Sequence, residues 1–439
     1  MFAFLFLKPI LSDLEECHDY QNKEISLTIG DKQNTFSAAY LINNCQLTLT
    51  GEEYSATGSP QVAFLVANGG YLKLSKAVVK KTGSPSDAND DKYNFYGLNS
   101  VIVVVGDGSK AELEEVTIQS EADGANALFA TNKGYISAKT ITITSTQDSS
   151  RGLDSTYDGI IEAVGINIHT QKAHCASLAT DRSEGTIIVT GIEENNMNIL
   201  STAGEGSPCI YSTGNITVKN VIGTSESSEA IVIEGKNSVT LIGSQISGKK
   251  TAGVMLYQSM SGDADEGTSI LTLQENSKIE ILDETLPLFY ITNTKSVINI
   301  NSPVSFKFDS KAFVLCGANR WGNTGKNGGQ VTINVNNFAI EGDSFATASD
   351  SSITFNLDTA STYTGGIFGS VTFSGEGIAS TTETAEISYS TQTSGDQPSG
   401  NESGERPPVP PSSGSGESAE NAENSTSNGK YFYFSKKKN

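Results

Sequence analysis

One phrase recurs along most of the chain. "VAFLVANGGYLKLSKAVV" (Val62 to Val79) returns as "NALFATNKGYISAKTITIT" (Asn126 to Thr144). It returns more loosely as "VIVVVGDGSKAELEEVTI" (Val101 to Ile118), "RGLDSTYDGIIEAVGINI" (Arg151 to Ile168), "ASLATDRSEGTIIVTG" (Ala176 to Gly191), "CIYSTGNITVKNV" (Cys209 to Val221), "AIVIEGKNSVTLIGSQI" (Ala230 to Ile246) and "PLFYITNTKSVINI" (Pro287 to Ile300). Each unit holds a short apolar strand, a corner of small or Asn/Asp/Gly residues, a second strand of alternating β-branched residues, and a variable loop. Taking the second apolar residue of each unit as an anchor gives Phe64, Ile102, Leu128, Leu153, Leu178, Ile210, Ile231, Val254, Leu288, Phe313 and Phe345. The spacings run from 21 to 38 residues, and the longer ones contain insertions such as "GSPSDANDDKYN" and "SGDADEGTS".

A period in the twenties, with strands and no helical pattern, is the signature of a β-solenoid. The Leu/Asn consensus of leucine-rich repeats is absent, and a sandwich would not repeat one unit so often. The fold expected is all-β: a right-handed, single-stranded parallel β-helix of the pectate-lyase-like kind, because parallel crossovers are almost always right-handed. About eleven rungs at ~4.8 Å each give a rod of roughly 50 Å. Corners fall at Asn-Gly, Asp-Gly and Lys-Gly, where left-handed backbone angles are cheap.

The expected organisation is an N-terminal segment and cap over 1–40, the β-helix over 41–375, and a low-complexity, disordered linker and tail over 376–439. The tail stretch "SGDQPSGNESGERPPVPPSSGSGESAENAENSTSNG" (Ser394 to Gly429) has almost no apolar residues to bury. It leads to "KYFYFSKKKN", whose aromatics and lysines resemble the last edge of a membrane span without the span. At the other end, the apolar run Phe2 to Leu7 is too short to cross a bilayer. It reads as a clipped signal peptide, a membrane-surface anchor or a hydrophobic cap. Any membrane association is expected through the termini alone, and the chain is expected to be a monomer.

Composition narrows the partners. Twenty-nine Lys and Arg stand against 50 Asp and Glu, for a formal net charge of −21. Such a chain repels phosphate backbones and has no basic stripe, so nucleic acid is not an expected partner. The five cysteines (Cys17, Cys45, Cys175, Cys209 and Cys316) are odd in number, widely spaced and never in a CxxC pair. They are expected to be small buried fillers and not a disulfide scaffold or zinc site. Three histidines, His18, His169 and His174, do not suggest a metal centre.

The stretch "SSRGLDSTYDG" (Ser149 to Gly159) gathers the most chemistry. Parallel β-helices can host polysaccharide lyases and hydrolases, which need carboxylates and bases clustered on adjacent rungs. Counting from the anchors, Asp154 stacks over Ala179, Asp181 over Thr156 and in the column of Glu234, and Arg182 over Tyr157. The carboxylates thus scatter over several columns. If the chain is an enzyme, the catalytic residues are Asp154, Asp181, Arg151 and Arg182. The alternative is structural, with Arg151 and Asp154 pairing across a surface turn and Asp158-Gly159 forming a turn dipeptide.

A middle reading is a glycan-binding ridge of Arg151, Asp154, Tyr157, Asp181, Arg182, Tyr257 and Trp321, with Tyr211 and Tyr290 as further platforms. Tyr257 and Trp321 are expected to be exposed because they adjoin insertions. Asp263, Asp265 and Glu266 are weak calcium candidates that match no spaced calcium motif; no other cofactor is expected. Asn215, Asn401 and Asn424 are glycosylation acceptors only on a eukaryotic secretory route.

The run "DGANALFATNKGYISAKTITITSTQDSSRGLDSTYDG", followed by "HCASLATDRSEGTIIVTG", "STAGEGSPCIYSTGNITV", "EAIVIEGKNSVTL", "GVMLYQSMSGDA" and "NRWGNTGKNGGQVTIN", resembles the secreted, adhesin-like β-helix proteins of anaerobic bacteria, methanogens and some anaerobic protists. The resemblance spans roughly residues 25–370. It implies a right-handed β-helix, export, an extracellular or cell-surface location and a polysaccharide, surface-glycan or protein partner. It carries no shared catalytic residue. The function expected is non-enzymatic adhesion; a β-helix polysaccharide lyase or hydrolase and a plain surface spacer are the alternatives.

Overall fold

The computed structural model of the chain describes residues 14–87, 90–259 and 261–385. The run Phe2–Leu7, the linker Ser394–Gly429, the aromatic–lysine tail and the acceptors Asn401 and Asn424 lie outside these residues. Strand accounts for 56% of the structure and helix for 2%, so the chain is all-β.

Strand pairing is parallel almost throughout and links each repeat to the next. Three stacks run along the molecule, an arrangement that fits a parallel β-solenoid. The first begins with Lys32–Asn43 and passes through Val62–Ala67, Ile102–Val105, Leu128–Thr131, Leu153–Thr156, Leu178–Thr180 and Ile210–Ser212. It continues through Ile231–Glu234, Val254–Tyr257, Phe289–Thr292, Ala312–Cys316 and Asp343–Ala346. The second stack starts at Gln46–Thr50 and reaches Val371–Gly375. The third runs from Glu53–Ala56 to Val304–Lys307. At the N-terminal end Gln21–Ile29 pairs antiparallel with Lys32–Asn43. At the other end Ile378–Ala385 still pairs in parallel with Thr362–Phe368.

Three long strands, Lys110–Ser120, Tyr135–Ser145 and Ile160–Thr170, serve the second and third stacks at once. They bend at Glu115, Thr140 and Gly165, which occupy equivalent positions with φ of 56°, 56° and 75°. Only glycine takes this left-handed geometry without strain, so the corner is dictated by packing on both sides. The expected turns also appear, with positive φ at Asn68, Lys133 and Asp158 just before or within the Gly-containing corners.

Inside the prism, anchor residues stack in a continuous core that runs from Cys17 to Tyr363. Pairing joins Phe64, Ile102, Leu128, Leu153, Leu178, Ile210, Ile231 and Val254 in one column, as the repeat spacing predicts. Beyond Val254 the column passes through Phe289, Val314 and Ser344, each one residue from the expected Leu288, Phe313 and Phe345.

The cysteines need one correction. Cys17 and Cys45 form a disulfide, whereas Cys175, Cys209 and Cys316 are free and buried. The bond ties the chain before the antiparallel hairpin to the corner after it, where Cys17 also donates its N–H to Gln46. The two cysteines are 28 residues apart in sequence, a closed loop worth about 3 kcal/mol on entropic grounds. Reduction, or Cys17→Ser with Cys45→Ser, should therefore lower the melting temperature in calorimetry while leaving the parallel β circular-dichroism signal intact. An unchanged melting temperature would mean that the N-terminal hairpin is held by packing alone.

Candidate functional site

In an ordinary solenoid the outward side of a sheet faces water. In the first stack it does not: Leu153–Thr156, Ile102–Val105, Leu128–Thr131 and Val254–Tyr257 are buried at every residue. Two insertions cover that outward side. The first, residues 82–87 and 90–99, carries the short helix Asp91–Asn94. Its Tyr93, Phe95, Tyr96 and Leu98 pack on Leu65, Val103, Val105 and Phe129. Gly97, at φ 73°, lies so close to the Phe129 ring that a Cβ there would come within 2.6 Å of it. The root of this insertion is tied down by Lys81, which is fully buried and donates to the carbonyls of Gly58 and Gly83. Burial pushes its ammonium down to about 8. The second cover comes from residues 258–259, 261–267 and 317–329, where Trp321 lies 4.8 Å from the Tyr257 ring. It joins a cluster with Ala179, Tyr211, Val232, Met255 and Tyr290.

Between these apolar blocks lies a buried polar row. Arg151 is fully enclosed; its Nη1 lies 3.4 Å from Asp154 Oδ2 and its Nη2 lies 3.1 Å from Asp181 Oδ2. Nη1 also donates to Asn94 Oδ1 of the first insertion at 3.2 Å. Asn126 donates to Asp154 at 3.0 Å and accepts from the Arg151 backbone N–H. Further along, Glu234 accepts from the Tyr211 hydroxyl at 2.6 Å, the Tyr257 hydroxyl at 2.7 Å and the Ser259 N–H at 3.2 Å. Asp154 Oδ1 and Arg151 Nε have no partner of their own in the row.

Two of the four sequence candidates therefore converge on a third. Arg151 holds Asp154 and Asp181, while Arg182 turns away. Arg182 pairs with Asp263 at 2.8 Å and Asp91 at 3.5 Å, and its guanidinium stacks 4.0 Å from the Phe95 ring. A single side chain thus fastens both insertions to the solenoid. Arg182→Ala should speed hydrogen exchange in residues 90–99 and 261–267 roughly tenfold while the stacks stay protected. Unchanged exchange in either insertion would show that the latch is not Arg182.

The electrostatics follow from enclosure. Burial pushes the Asp154 carboxyl up to about 7 even though Arg151 favours its charged form. Burial also holds the Asp181 carboxyl well above its usual range, helped by the negative groups at Asp154, Asp263 and Glu234. Burial raises Glu234 against three hydrogen-bond donors. One guanidinium between two carboxylates balances one charge, so the other carboxyl is best kept protonated.

Several expectations about exposure are corrected. The Arg151–Asp154 pair is not a surface pair: both side chains are 0% exposed. Tyr257 is 0% exposed and Trp321 only 8%, because the insertions next to them fold back over the sheet. Tyr211 and Tyr290 are buried as well, so of the five aromatic platforms only Tyr157 keeps a partly open ring. Tyr157 is half-buried, its ring 5.8 Å from and stacked on Tyr96. Two of the three calcium candidates are engaged elsewhere: Asp263 pairs with Arg182 and Asp265 with Lys236 at 2.9 Å. Among the described residues no three His, Cys, Asp or Glu side chains are grouped to hold a metal ion. A surface cleft of about 290 Å³ is lined by Asp158, Arg182, Glu184 and Asp263 among others.

Asn94, Asn126 and Ser259 belong to the row but were not singled out from the sequence. Asn126 left a signal: it stands two residues before its anchor Leu128, as Arg151 stands before Leu153. The chain matches no protein-family model, no curated protein and no solved structure at a meaningful level.

Proposed function

We propose that the chain is a non-enzymatic, adhesin-like protein of the cell surface or extracellular space, built as a right-handed parallel β-helix of about eleven rungs, that binds an extended carbohydrate or a comparable surface. The observation that carries this reading is an outward column on the second stack. Thr217, Thr240, Thr272, Asn299, Asn334 and Asn356 stand in one register. Asn299 donates to Thr272 at 3.1 Å, Asn334 to Asn299 at 2.8 Å and Asn356 to Asn334 at 2.8 Å. Each laddered amide keeps a second N–H and a further lone pair for a ligand, repeated every ~4.8 Å. A row of this kind suits a hydroxyl-rich polymer lying along the rod.

Two further points support export and adhesion. Disulfides such as Cys17–Cys45 persist best in oxidising compartments, and the sequence phrases resemble secreted adhesin-like β-helices. The enclosure of Arg151, Asp154 and Asp181 favours a structural role for the residues that a β-helix lyase or hydrolase would use.

A glycan array with the full chain tests the reading. Binding to at least one extended polysaccharide is expected, weakened roughly tenfold by Asn299→Ala with Asn334→Ala. No binding to any glycan or cell surface would leave the spacer alternative. New reducing or unsaturated ends after incubation with polygalacturonate would favour the enzyme.

A further inference from the structure

The second cover leaves a pocket at its own border. Glu266 from one part of the cover, and Asn323 and Lys326 from the other, line it together with Thr268, Lys295 and Gln330. The last three stand in one register, each the first residue of a strand in the second stack. The pocket holds about 610 Å³, inside the roughly 300–1,000 Å³ range of small-ligand sites. Its walls are fixed by the fold. Asn293 donates to the Gln258 carbonyl at 2.8 Å, and a Cβ on Gly322, at φ 73°, would come within 2.1 Å of Asn293 Oδ1. Gly328 donates its N–H to both Asp350 carboxylate oxygens, and Gln330 Nε2 donates to the Asp350 carbonyl at 3.2 Å. Other polar groups of the lining are left over. Among the described residues, the Lys295 and Lys326 ammoniums, the Glu266 carboxylate and the Asn323 amide make no ion pair or side-chain hydrogen bond. Gln258, only 6% exposed, also borders the pocket, and its buried Oε1 has no donor. A buried acceptor of this kind is costly unless a donor from outside the fold reaches it.

We infer that this pocket is a binding site for a neutral oligosaccharide. A sugar hydroxyl donates and accepts at once, which matches ammonium and amide donors set beside carboxylate and amide acceptors. Lys295 and Lys326 balance Glu266 and Asp350 in formal charge, so the lining does not select an anion. A uronate would bring a further negative charge beside those carboxylates and onto a chain of net charge −21. An apolar ligand would cover the charged groups and the Gln258 oxygen without pairing them. Among the described residues that line the pocket none is aromatic, so recognition rests on hydrogen bonds and not on ring stacking. The inference rests on the carbohydrate reading above and places the contact on a different surface. Lys295 and Gln330 stand four residues before Asn299 and Asn334 in the same two strands, roughly 13 Å across the sheet from the amide ladder. The ladder repeats one contact along a polymer, whereas the pocket surrounds a few rings and distinguishes one sugar from another.

Calorimetric titration of the full chain with neutral gluco-, manno-, galacto- and xylo-oligosaccharides, and with oligogalacturonate, tests the site. At least one neutral oligosaccharide should bind. Glu266→Ala combined with Lys326→Ala should weaken that binding roughly tenfold, and Asn299→Ala with Asn334→Ala should leave it unchanged. The two pocket side chains have no partner in the fold, so the pocket variant should melt at the temperature of the parent. Binding lost in the ladder variant and kept in the pocket variant overturns the inference and leaves the ladder reading standing. Binding weakened in the pocket variant alone upholds the inference, even where no long polysaccharide engages the ladder. Failure of every neutral oligosaccharide to bind, or tighter binding of oligogalacturonate, overturns it.

Discussion

Arg151→Met should destabilise the folded chain by about 3–5 kcal/mol at neutral pH, the range expected when one member of a buried ionic group is removed. Methionine keeps most of the volume of the arginine stem, so the loss measures charge and hydrogen bonding more than cavity formation. Without the guanidinium, Asp154 and Asp181 keep their enclosure and lose their shared counter-ion, and Asn94 loses its donor from the solenoid. Asp154→Asn or Asp181→Asn alone should cost far less, because each removes a carboxyl that burial already disfavours as an anion. The combined Arg151→Met, Asp154→Asn, Asp181→Asn chain should recover most of the loss, since no uncompensated charge is then left inside. Urea midpoints at fixed pH give all four values. A midpoint for Arg151→Met within error of the parent would show that the row is hydrated and not sealed.

Stability should also fall as pH rises from about 5 to 8, the reverse of the acid sensitivity usual for carboxylates. Asp154, Asp181 and Glu234 all have folded values raised above their unfolded ones. Between those values the folded chain holds protons that the unfolded chain has released. Their stabilising contribution is therefore complete below the unfolded carboxylate value, near 4, and is lost as pH climbs through the folded value, about 7 for Asp154. Each retained proton gives a slope of at most about 1.4 kcal/mol per pH unit. Asp148, whose carboxylate is held low against burial by His174 and Ser149, acts in the opposite sense only at lower pH, while buried Glu229 is raised in the same sense as the row and Lys81, pushed down to about 8, opposes it only at the top of the window. Urea midpoints at successive pH values should decline in the parent and decline less steeply in Asp154→Asn with Asp181→Asn, where Glu234 still contributes. Midpoints in the parent that stay level or rise with pH would contradict the protonated row.

Period and corner chemistry made the stacked parallel architecture legible in advance. Phe64 through Val254 fall in one column because each rung reuses the same apolar strand and the same turn. The one-residue slip after Val254 has a physical cause. Where insertions cover the first stack, both sides of its strands are buried and the alternation that marks phase disappears. "AFLVA", "IVVV" and "VMLY" read as continuous apolar runs, and in "PLFY" Leu288 and Phe289 are equally good anchors. The polar row was legible in composition but not in setting. Asp154 over Ala179 was the right register, yet nothing in the strand itself says that residues 90–99, some sixty positions upstream, fold over it. The same limit made Tyr257 and Trp321 look like surface aromatics. The Cys17–Cys45 pair was hidden because the antiparallel hairpin that brings its two ends together lies outside the repeat.

The central claim is that Arg151, Asp154 and Asp181 form a sealed row under two insertions. Native-state hydrogen exchange of the ligand-free chain at neutral pH tests it most directly. Amides of Leu128–Thr131, Leu153–Thr156 and Leu178–Thr180 should exchange only through global unfolding, with a denaturant dependence equal to that of the whole molecule. Fast, denaturant-independent exchange confined to those strands and the insertions would show a site that opens in solution, and would contradict the account.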